Sequence, residues 1–260
     1  MIRFDHVTKM LGGREVLSDL TFEIRKGEVF TIVGSSGSGK SVTLKHIVRL
    51  LTPTSGAVWV GDTEVSAADG PALEKARERF GYLFQGGALL GWMDVYENVA
   101  LPLREKTRLS AAAIDKRVRE VLAMVELEND GGKLPSEISG GMQKRAGLAR
   151  AIVRQPEIVL YDEPTSGLDP VTSRTIDRLI RKLNTELGIT SVVVTHDLQG
   201  ALMIADRIAM LAEGRFIEVD TPAAFVKTVQ PKARAFLDAQ FVSGEPFPAS
   251  RFSFLEQRHT

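Results

Sequence analysis

The sequence contains no cysteine among its 260 residues. Disulfides, thiolate metal sites and cysteine nucleophiles are therefore excluded, and the composition is compatible with a reducing compartment. A net charge is also absent, because 33 lysines and arginines balance 33 aspartates and glutamates. A protein that binds nucleic acid needs a basic excess to offset the phosphates, so this balance argues against nucleic acid as a partner.

Long hydrophobic runs are absent as well. No stretch approaches the roughly 18 apolar residues that a membrane span needs. The start of the chain, residues 1–6, lacks the apolar run of a signal peptide. We therefore expect a soluble, cytoplasmic protein, and any work at a membrane would need a partner that supplies the spans.

The apolar residues that are present predict alternating strands and helices. Alternation at Leu20, Phe22 and Ile24, and again at Val58 and Val60, has the period of half-buried strands. Continuous apolar runs predict strands buried on both faces, and these runs are 29–33, 158–161 and 192–194. Helical spacing predicts helices, and these segments are 44–51, 114–125 and 176–187. This alternation favours a parallel sheet with helices on both faces.

The end of the chain has a different pattern. Segments 207–211 and 216–219 predict a hairpin that closes the sheet. From Gln230 onwards, prolines and scattered phenylalanines show no clear period. This tail is interpreted as either docked or mobile.

A glycine-rich segment between a buried strand and a helix fits the phosphate-binding loop pattern. Its residues are Gly34-Ser35-Ser36-Gly37-Ser38-Gly39-Lys40-Ser41. The glycines allow backbone N–H groups to form an anion nest, and the N-terminus of the following helix adds a favourable field. We expect Lys40 to reach the β- and γ-phosphates and Ser41 to hold Mg²⁺. A flexible turn is the alternative, but the flanking strand and helix favour the loop.

Titratable side chains follow two of the predicted strands. Asp162 and Glu163 come directly after the strand 158–161, where side chains emerge at the carboxyl edge of a parallel sheet. We assign Asp162 to the metal and Glu163 to the attacking water as general base. His196 closes the strand 192–195 at the same edge, and we expect it to orient the water and sense the γ-phosphate.

Together these residues resemble the ATP-binding subunit of an ABC transporter, over about residues 2 to 228. Ile138-Ser139-Gly140-Gly141-Met142-Gln143 resembles the family signature Leu-Ser-Gly-Gly-Gln. Gln85 resembles the glutamine loop, Asp169 in Ser166-Gly167-Leu168-Asp169 the aspartate loop, and His196 the switch histidine. The resemblance implies an α/β fold: a RecA-like P-loop NTPase core, an antiparallel β subdomain and an inserted α-helical subdomain at about 86–155. Residues 229–260 would form a C-terminal tail.

The resemblance also implies a head-to-tail dimer with two ATP molecules at its interface. Ser139 and Gly141 of one copy would contact the γ-phosphate held by Lys40 of the other, and Gly140, Met142 and Asp169 would belong to the same nucleotide site. The implied cofactors are ATP and Mg²⁺. The implied metal-binding residues are Ser41, Gln85 and Asp162.

Two positions depart from the family pattern. Leu11 stands where an aromatic residue usually stacks on adenine, and Val16 could add to that apolar wall. Met142 replaces the usual glutamine of the signature. With the following residues 144–150, Met142 resembles the branch of Mla-type and Mce-associated ATPases, which serve phospholipid transport between bacterial membranes.

The resemblance further implies an integral membrane permease as partner, lipid-binding and small regulatory subunits as further candidates, and a place on the cytoplasmic face of the inner membrane. Leu89, Leu90 and Trp92 are interpreted either as core or as the surface that receives the permease. For the tail, we hypothesise that its phenylalanines dock on the second copy.

Three other functions are alternatives to this interpretation. A P-loop GTPase needs Asn-Lys-x-Asp, which does not occur. A DNA-repair or translation ATPase usually carries a coiled-coil insertion or two ATPase units, whereas this chain has one set of motifs. An ATPase for an amino acid, metal or drug transporter remains the alternative to phospholipid transport.

Overall fold

The computed structural model describes residues 1–240. Its strands, numbered in chain order, are β1 (Ile2–Leu11), β2 (Arg14–Ile24), β3 (Val29–Val33), β4 (Ser55–Val60), β5 (Thr63–Glu64), β6 (Phe80–Leu83), β7 (Ile158–Asp162), β8 (Thr190–Thr195), β9 (Arg207–Ala212) and β10 (Arg215–Asp220). Its α-helices are α1 (Lys40–Ile47), α2 (Gly70–Arg77), α3 (Val95–Lys106), α4 (Ala111–Met124), α5 (Gly140–Ile152), α6 (Pro170–Leu187), α7 (Leu198–Ile204), α8 (Pro222–Phe225) and α9 (Pro231–Gln240). A short 3-10 helix, Pro135–Glu137, precedes α5.

The central sheet has the strand order β10-β9-β3-β8-β7-β6. All neighbours in it are parallel except β10, which pairs antiparallel with β9. Every residue of β3, β7 and β8 is buried, as their continuous apolar runs predict. Parallel strands end at the same edge of a sheet, so the segments that follow β3, β7 and β8 meet there.

The second sheet is antiparallel, with the order β2-β1-β4-β5. Aromatic rings join it to the central sheet. Phe22 of β2 stacks on Phe30 of β3 with ring centroids 5.7 Å apart, and it meets the edge of Phe216 of β10 at 4.8 Å. The hydrophobic residues between the sheets form one cluster with the buried face of α1. This packing fixes β2 beside the loop that follows β3.

The opposite face of the central sheet is covered by α5 and α6, and α3 and α4 pack on α5. The apolar residues of these four helices form a second cluster with β6, β7 and β8. Helices α3 to α5 fall inside the segment 86–155 that was predicted as a helical subdomain. The prediction of a helix over 44–51 was too long. Helix α1 ends at Ile47, because Arg49 adopts a left-handed backbone conformation with φ 55° that a helix cannot continue.

The tail is docked as far as the structure describes it. Ala233 and Leu237 of α9 are buried in a third cluster with α7, α8 and β9, and Phe236 packs against the same cluster. Phe236 therefore has an intramolecular partner, and the other phenylalanines of the tail lie outside the described residues. Within residues 1–240, no helix is both long enough and apolar enough to span a membrane.

Candidate functional site

The loop between β3 and α1 wraps around the side chain of Lys40. Lys40 is 6% exposed, and its Nζ donates hydrogen bonds to the carbonyl oxygens of Gly34 at 2.8 Å and Ser35 at 3.0 Å. Gly34 has φ 154°, and a Cβ there would lie 2.3 Å from the carbonyl oxygen of Leu211. Only glycine fits this position. The loop thus presents a buried ammonium group beside the N-terminus of α1, an arrangement that suits an anion.

A hydroxyl and a carboxylate meet at the edge of the central sheet. The Oγ of Ser41 donates to Oδ1 of Asp162 at 2.7 Å, and the Tyr82 hydroxyl donates to Oδ2 at 3.2 Å. Burial and the adjacent charge of Asp162 raise the pKa of Tyr82, so this hydroxyl stays protonated and remains a donor. Serine and aspartate oxygens are ligands that Mg²⁺ accepts, so the pair fits this ion. Within residues 1–240, no group of three or more histidines or carboxylates could hold a metal. Phosphate oxygens or water have to complete such a site.

Glu163 lies between a lysine and a histidine. Its Oε2 lies 2.8 Å from Nδ1 of His196, and its Oε1 lies 3.6 Å from Nζ of Lys40. The residue is 9% exposed and adopts φ 49°, a conformation that is rare for residues other than glycine. Its backbone is held there by a hydrogen bond from its N–H to the carbonyl oxygen of Val194, at 2.9 Å. Such conformations concentrate at functional sites, where the surrounding structure supports them.

A cavity of about 450 Å³ opens over these groups. Ligand sites typically have volumes of a few hundred cubic ångströms or more, so the cavity is large enough for a small-molecule ligand. It is lined by Val16, Ser36, Gly37, Gly39, Lys40, Ser41, Val42, Gln85, Glu163 and His196. The structure thus brings together the loop, the glutamine, the general-base candidate and the histidine that the sequence singles out.

Other predicted site residues lie elsewhere. Leu11, at the end of β1, is 39% exposed and is not among the lining residues. Ser35 and Ser38 line an adjoining cavity on the β9–β10 side of the loop, together with Gly37 and Phe236.

The signature residues 139–142 and Asp169 occupy two helix N-termini outside the cavity. The Ser139 Oγ caps α5 by accepting from the Met142 N–H at 3.3 Å, and the Met142 side chain packs against the core of its own chain. Asp169 caps α6, accepting from the N–H groups of Val171 and Thr172 at 3.0 Å each. Within a single chain, the side chains of Ser139 and Asp169 therefore serve as helix caps.

Sequence reasoning missed two residues that support the site. Tyr82 orients Asp162, as described above. Lys144 of α5 is 5% exposed and donates to the backbone carbonyls of Gln85 and Glu163. A signal for Lys144 exists, because it shares one face of α5 with the small residues Gly147 and Ala151, and such a face packs closely.

Comparison with known proteins agrees with this geometry. The model of the family described as "ABC transporter" matches residues 17–166, more than half of the chain. The chain belongs to the ABC transporter family. This ABC ATPase therefore binds and hydrolyses ATP, and the expected α/β fold of a P-loop NTPase is confirmed.

Two relatives illustrate the range of the family. The chain is 40% identical over 239 residues to the probable ribonucleotide transport ATP-binding protein mkl of Mycobacterium tuberculosis. This alignment covers 92% of the present chain and 67% of mkl. The chain is also 38% identical over 257 residues to the methionine import ATP-binding protein MetN 1 of Bacillus cereus. That alignment covers 97% of the present chain and 71% of MetN 1.

Solved structures show the same fold. The dimeric post-hydrolysis structure of the ATP-binding cassette MJ0796, bound to ADP and Pi, has a TM-score of 0.78 and 37% identity. The match covers 85% of this chain and 99% of that one. The cbiO1 protein of Clostridium perfringens, described as part of the transporter complex cbiONQ, has a TM-score of 0.81 and 27% identity, covering 92% and 95% of the two chains.

Proposed function

We propose that Glu163 is the general base of ATP hydrolysis in this ABC ATPase, and that His196, which contacts its carboxylate, orients the attacking water and senses the γ-phosphate. The observation that carries this role is the position of the Glu163 carboxylate, between the Lys40 ammonium and the His196 imidazole at the wall of the cavity. A carboxylate can accept a proton from water there, while Lys40 stabilises the negative charge of the phosphates. Ser41, Asp162 and Gln85 would hold Mg²⁺, which neutralises phosphate charge when bound.

The Glu163→Gln variant tests this role. The amide keeps the size of the side chain but cannot accept the proton, so we expect ATP binding to persist while turnover falls roughly 100-fold or more. Phosphate release and nucleotide binding, measured separately, check the two parts. Turnover near that of the wild type would refute the assignment of Glu163 as base.

The nucleotide site is proposed to be shared between two copies of the chain. Residues 139–142 form the N-terminus of α5, where first-turn N–H groups have no acceptor within the helix, a site suited to phosphate. These residues do not line the cavity around Lys40. A head-to-tail dimer would place them, together with Asp169, over the γ-phosphate held by the other copy. The dimeric structures of MJ0796 support this arrangement.

A membrane permease is proposed to dock on the surface beyond the glutamine loop. Trp92 is 76% exposed and Phe84 is 41% exposed, whereas Leu89 packs against the core. Of the two interpretations of this apolar segment, the core one fits Leu89 and the docking one fits Trp92. The complex named for cbiO1 supports a partner of this kind, and with it a place at the cytoplasmic face of the inner membrane.

For the cargo, we propose phospholipid, moved between bacterial membranes with the help of further lipid-binding and regulatory subunits. Met142 in the signature, followed by residues 144–150, supports this branch. The names of the relatives also favour other cargoes, since one refers to ribonucleotides and the other to methionine. An amino acid, metal or drug transporter therefore remains the second candidate. Co-purification with the natural membrane subunits, followed by mass spectrometry of bound lipid, separates the two.

A further inference from the structure

We propose that Lys144 is a positioning residue for hydrolysis: from the signature helix α5, it holds the backbone of Gln85 and of Glu163 at the same time. Its Nζ donates to the carbonyl oxygen of Gln85 and, at 3.2 Å, to that of Glu163. One side chain thus joins three parts of the site that are far apart in sequence. The proposal rests on the role of Glu163 as base given above.

The chemistry of this contact is specific to a buried cation. Lys144 is 5% exposed, and burial lowers its pKa, while the nearby charges of Glu163 and Asp162 oppose that shift. A buried ammonium group has to be compensated by hydrogen-bond acceptors. Two backbone carbonyls supply that compensation, so moving either carbonyl would leave the buried cation with one acceptor fewer. The contact therefore resists displacement of both segments.

Helix α5 packs closely against the glutamine loop, so its side chains can donate hydrogen bonds to the backbone of that loop. A Cβ at Gly147 would lie 2.8 Å from Cδ1 of Leu83 and 3.1 Å from the carbonyl oxygen of Gly87. Arg150, two turns after Lys144, donates to the carbonyl oxygens of Gly87 at 2.8 Å and Ala88 at 2.7 Å. Two cations of α5 therefore hold the glutamine loop. Of these two, Lys144 also donates a hydrogen bond to the carbonyl oxygen of Glu163.

The contact with Glu163 has a consequence for catalysis. Glu163 adopts φ 49°, and a non-glycine residue keeps such a conformation only where its surroundings fix it. The N–H of Glu163 donates to the carbonyl oxygen of Val194, and the carbonyl oxygen of Glu163 accepts from the Nζ of Lys144. Both backbone polar groups of Glu163 are therefore held by hydrogen bonds. A shift of α5, which also carries Ser139, would be transmitted to the direction of the Glu163 carboxylate.

The Lys144→Met variant tests the proposal, because methionine keeps the apolar stem and removes the donor. We expect kcat for ATP to fall roughly 10- to 100-fold through misplacement of the carboxylate, with KM changed less than about threefold because the Lys40 loop is untouched. Lys144→Arg retains donors and should keep most of the turnover. Thermal unfolding of each variant confirms that the folded protein is being compared.

Two controls separate positioning from general loosening of the loop. Arg150→Met removes a partly buried cation that holds the loop through Gly87 and Ala88 and makes no contact with Glu163, and we expect a smaller loss of kcat. In the Glu163→Gln background, Lys144→Met should add no further loss in single-turnover hydrolysis, because both changes act on the same carboxylate.

The proposal is overturned by any of three results: turnover of Lys144→Met within twofold of the wild type, an equal loss in Arg150→Met, or an additive loss in the double variant. Each is distinct from failure of the base assignment, which shows as high turnover of Glu163→Gln alone.

Discussion

At the scale of single residues, Asp177 of α6 is unusual because its carboxyl group is buried. It is 3% exposed, and burial raises its pKa to about 6, partly opposed by Arg174, whose Nη1 lies 3.1 Å away. Arg174 also pairs with Asp197, which caps α7 directly after His196. The carboxyl group of Asp177 thus belongs to a polar contact that joins α6 to α7. This contact lies close to His196 of the candidate site.

The raised pKa of Asp177 predicts a pH-dependent stability. Since the folded-state pKa lies above the unfolded value, this group stabilises the fold below about pH 4, and the contribution is lost as pH rises through 6. Asparagine does not titrate, so the unfolding free energy of Asp177→Asn minus that of the wild type should change with pH. We expect this difference to be about 1 kcal/mol more positive at pH 7.5 than at pH 5. Urea unfolding at the two pH values measures the difference. A pH-independent difference would contradict the account.

The residues with a recognisable local pattern were the predictable ones. Lys40 and Ser41 follow a glycine pattern in sequence, and the structure places both at the cavity. Tyr82 and Lys144 were not predicted, because their contacts join segments about 80 and 20 to 60 residues apart. Such contacts depend on how α5 and β6 pack. The small residues on one face of α5 indicate close packing there, but they do not specify which groups Lys144 contacts.

At the scale of elements, the N-terminus of α5 serves two purposes. Ser139 caps the helix, and in the proposed dimer the same residue meets the γ-phosphate of the other copy. These two roles place different demands on the side chain. Capping needs an oxygen acceptor, whereas a phosphate contact also needs the absence of negative charge.

Substitutions of Ser139 separate the two roles. Ser139→Asp keeps a good cap but adds a negative charge, so we expect nearly unchanged stability and a loss of ATPase activity of about 10-fold or more. Ser139→Ala loses the cap and should lower the unfolding free energy by about 1 kcal/mol. Thermal unfolding and turnover, measured on both variants, check this. Full activity of Ser139→Asp would contradict a phosphate contact.

Elements with a strong apolar period were also predictable. Strands β3, β7 and β8 lie where continuous apolar runs predict them, and α4 and α6 contain the predicted helical faces. Helices α2, α7 and α9 were not predicted. They have few buried residues or are short, so tertiary contacts with the sheets decide their conformation more than their own periodicity does.

At the scale of the whole molecule, the two proposed halves of the nucleotide site do not meet within the described chain. The cavity at the edge of the central sheet has Lys40, Ser41 and Glu163, while α5 presents Ser139 at another surface. A second copy, related by a two-fold axis, would complete both sites at once. ATP would then stabilise the dimer, because it contacts both copies only in the closed state.

The mass of the Glu163→Gln variant in solution tests this central claim most directly. Light scattering during size-exclusion chromatography, with ATP and Mg²⁺, should give about twice the 28.5 kDa of one chain, and one chain without nucleotide. Adding Ser139→Asp to the same variant should abolish the ATP-dependent dimer while ATP binding persists. A single-chain mass with ATP bound, or a dimer that is insensitive to Ser139→Asp, would contradict a site shared between two copies.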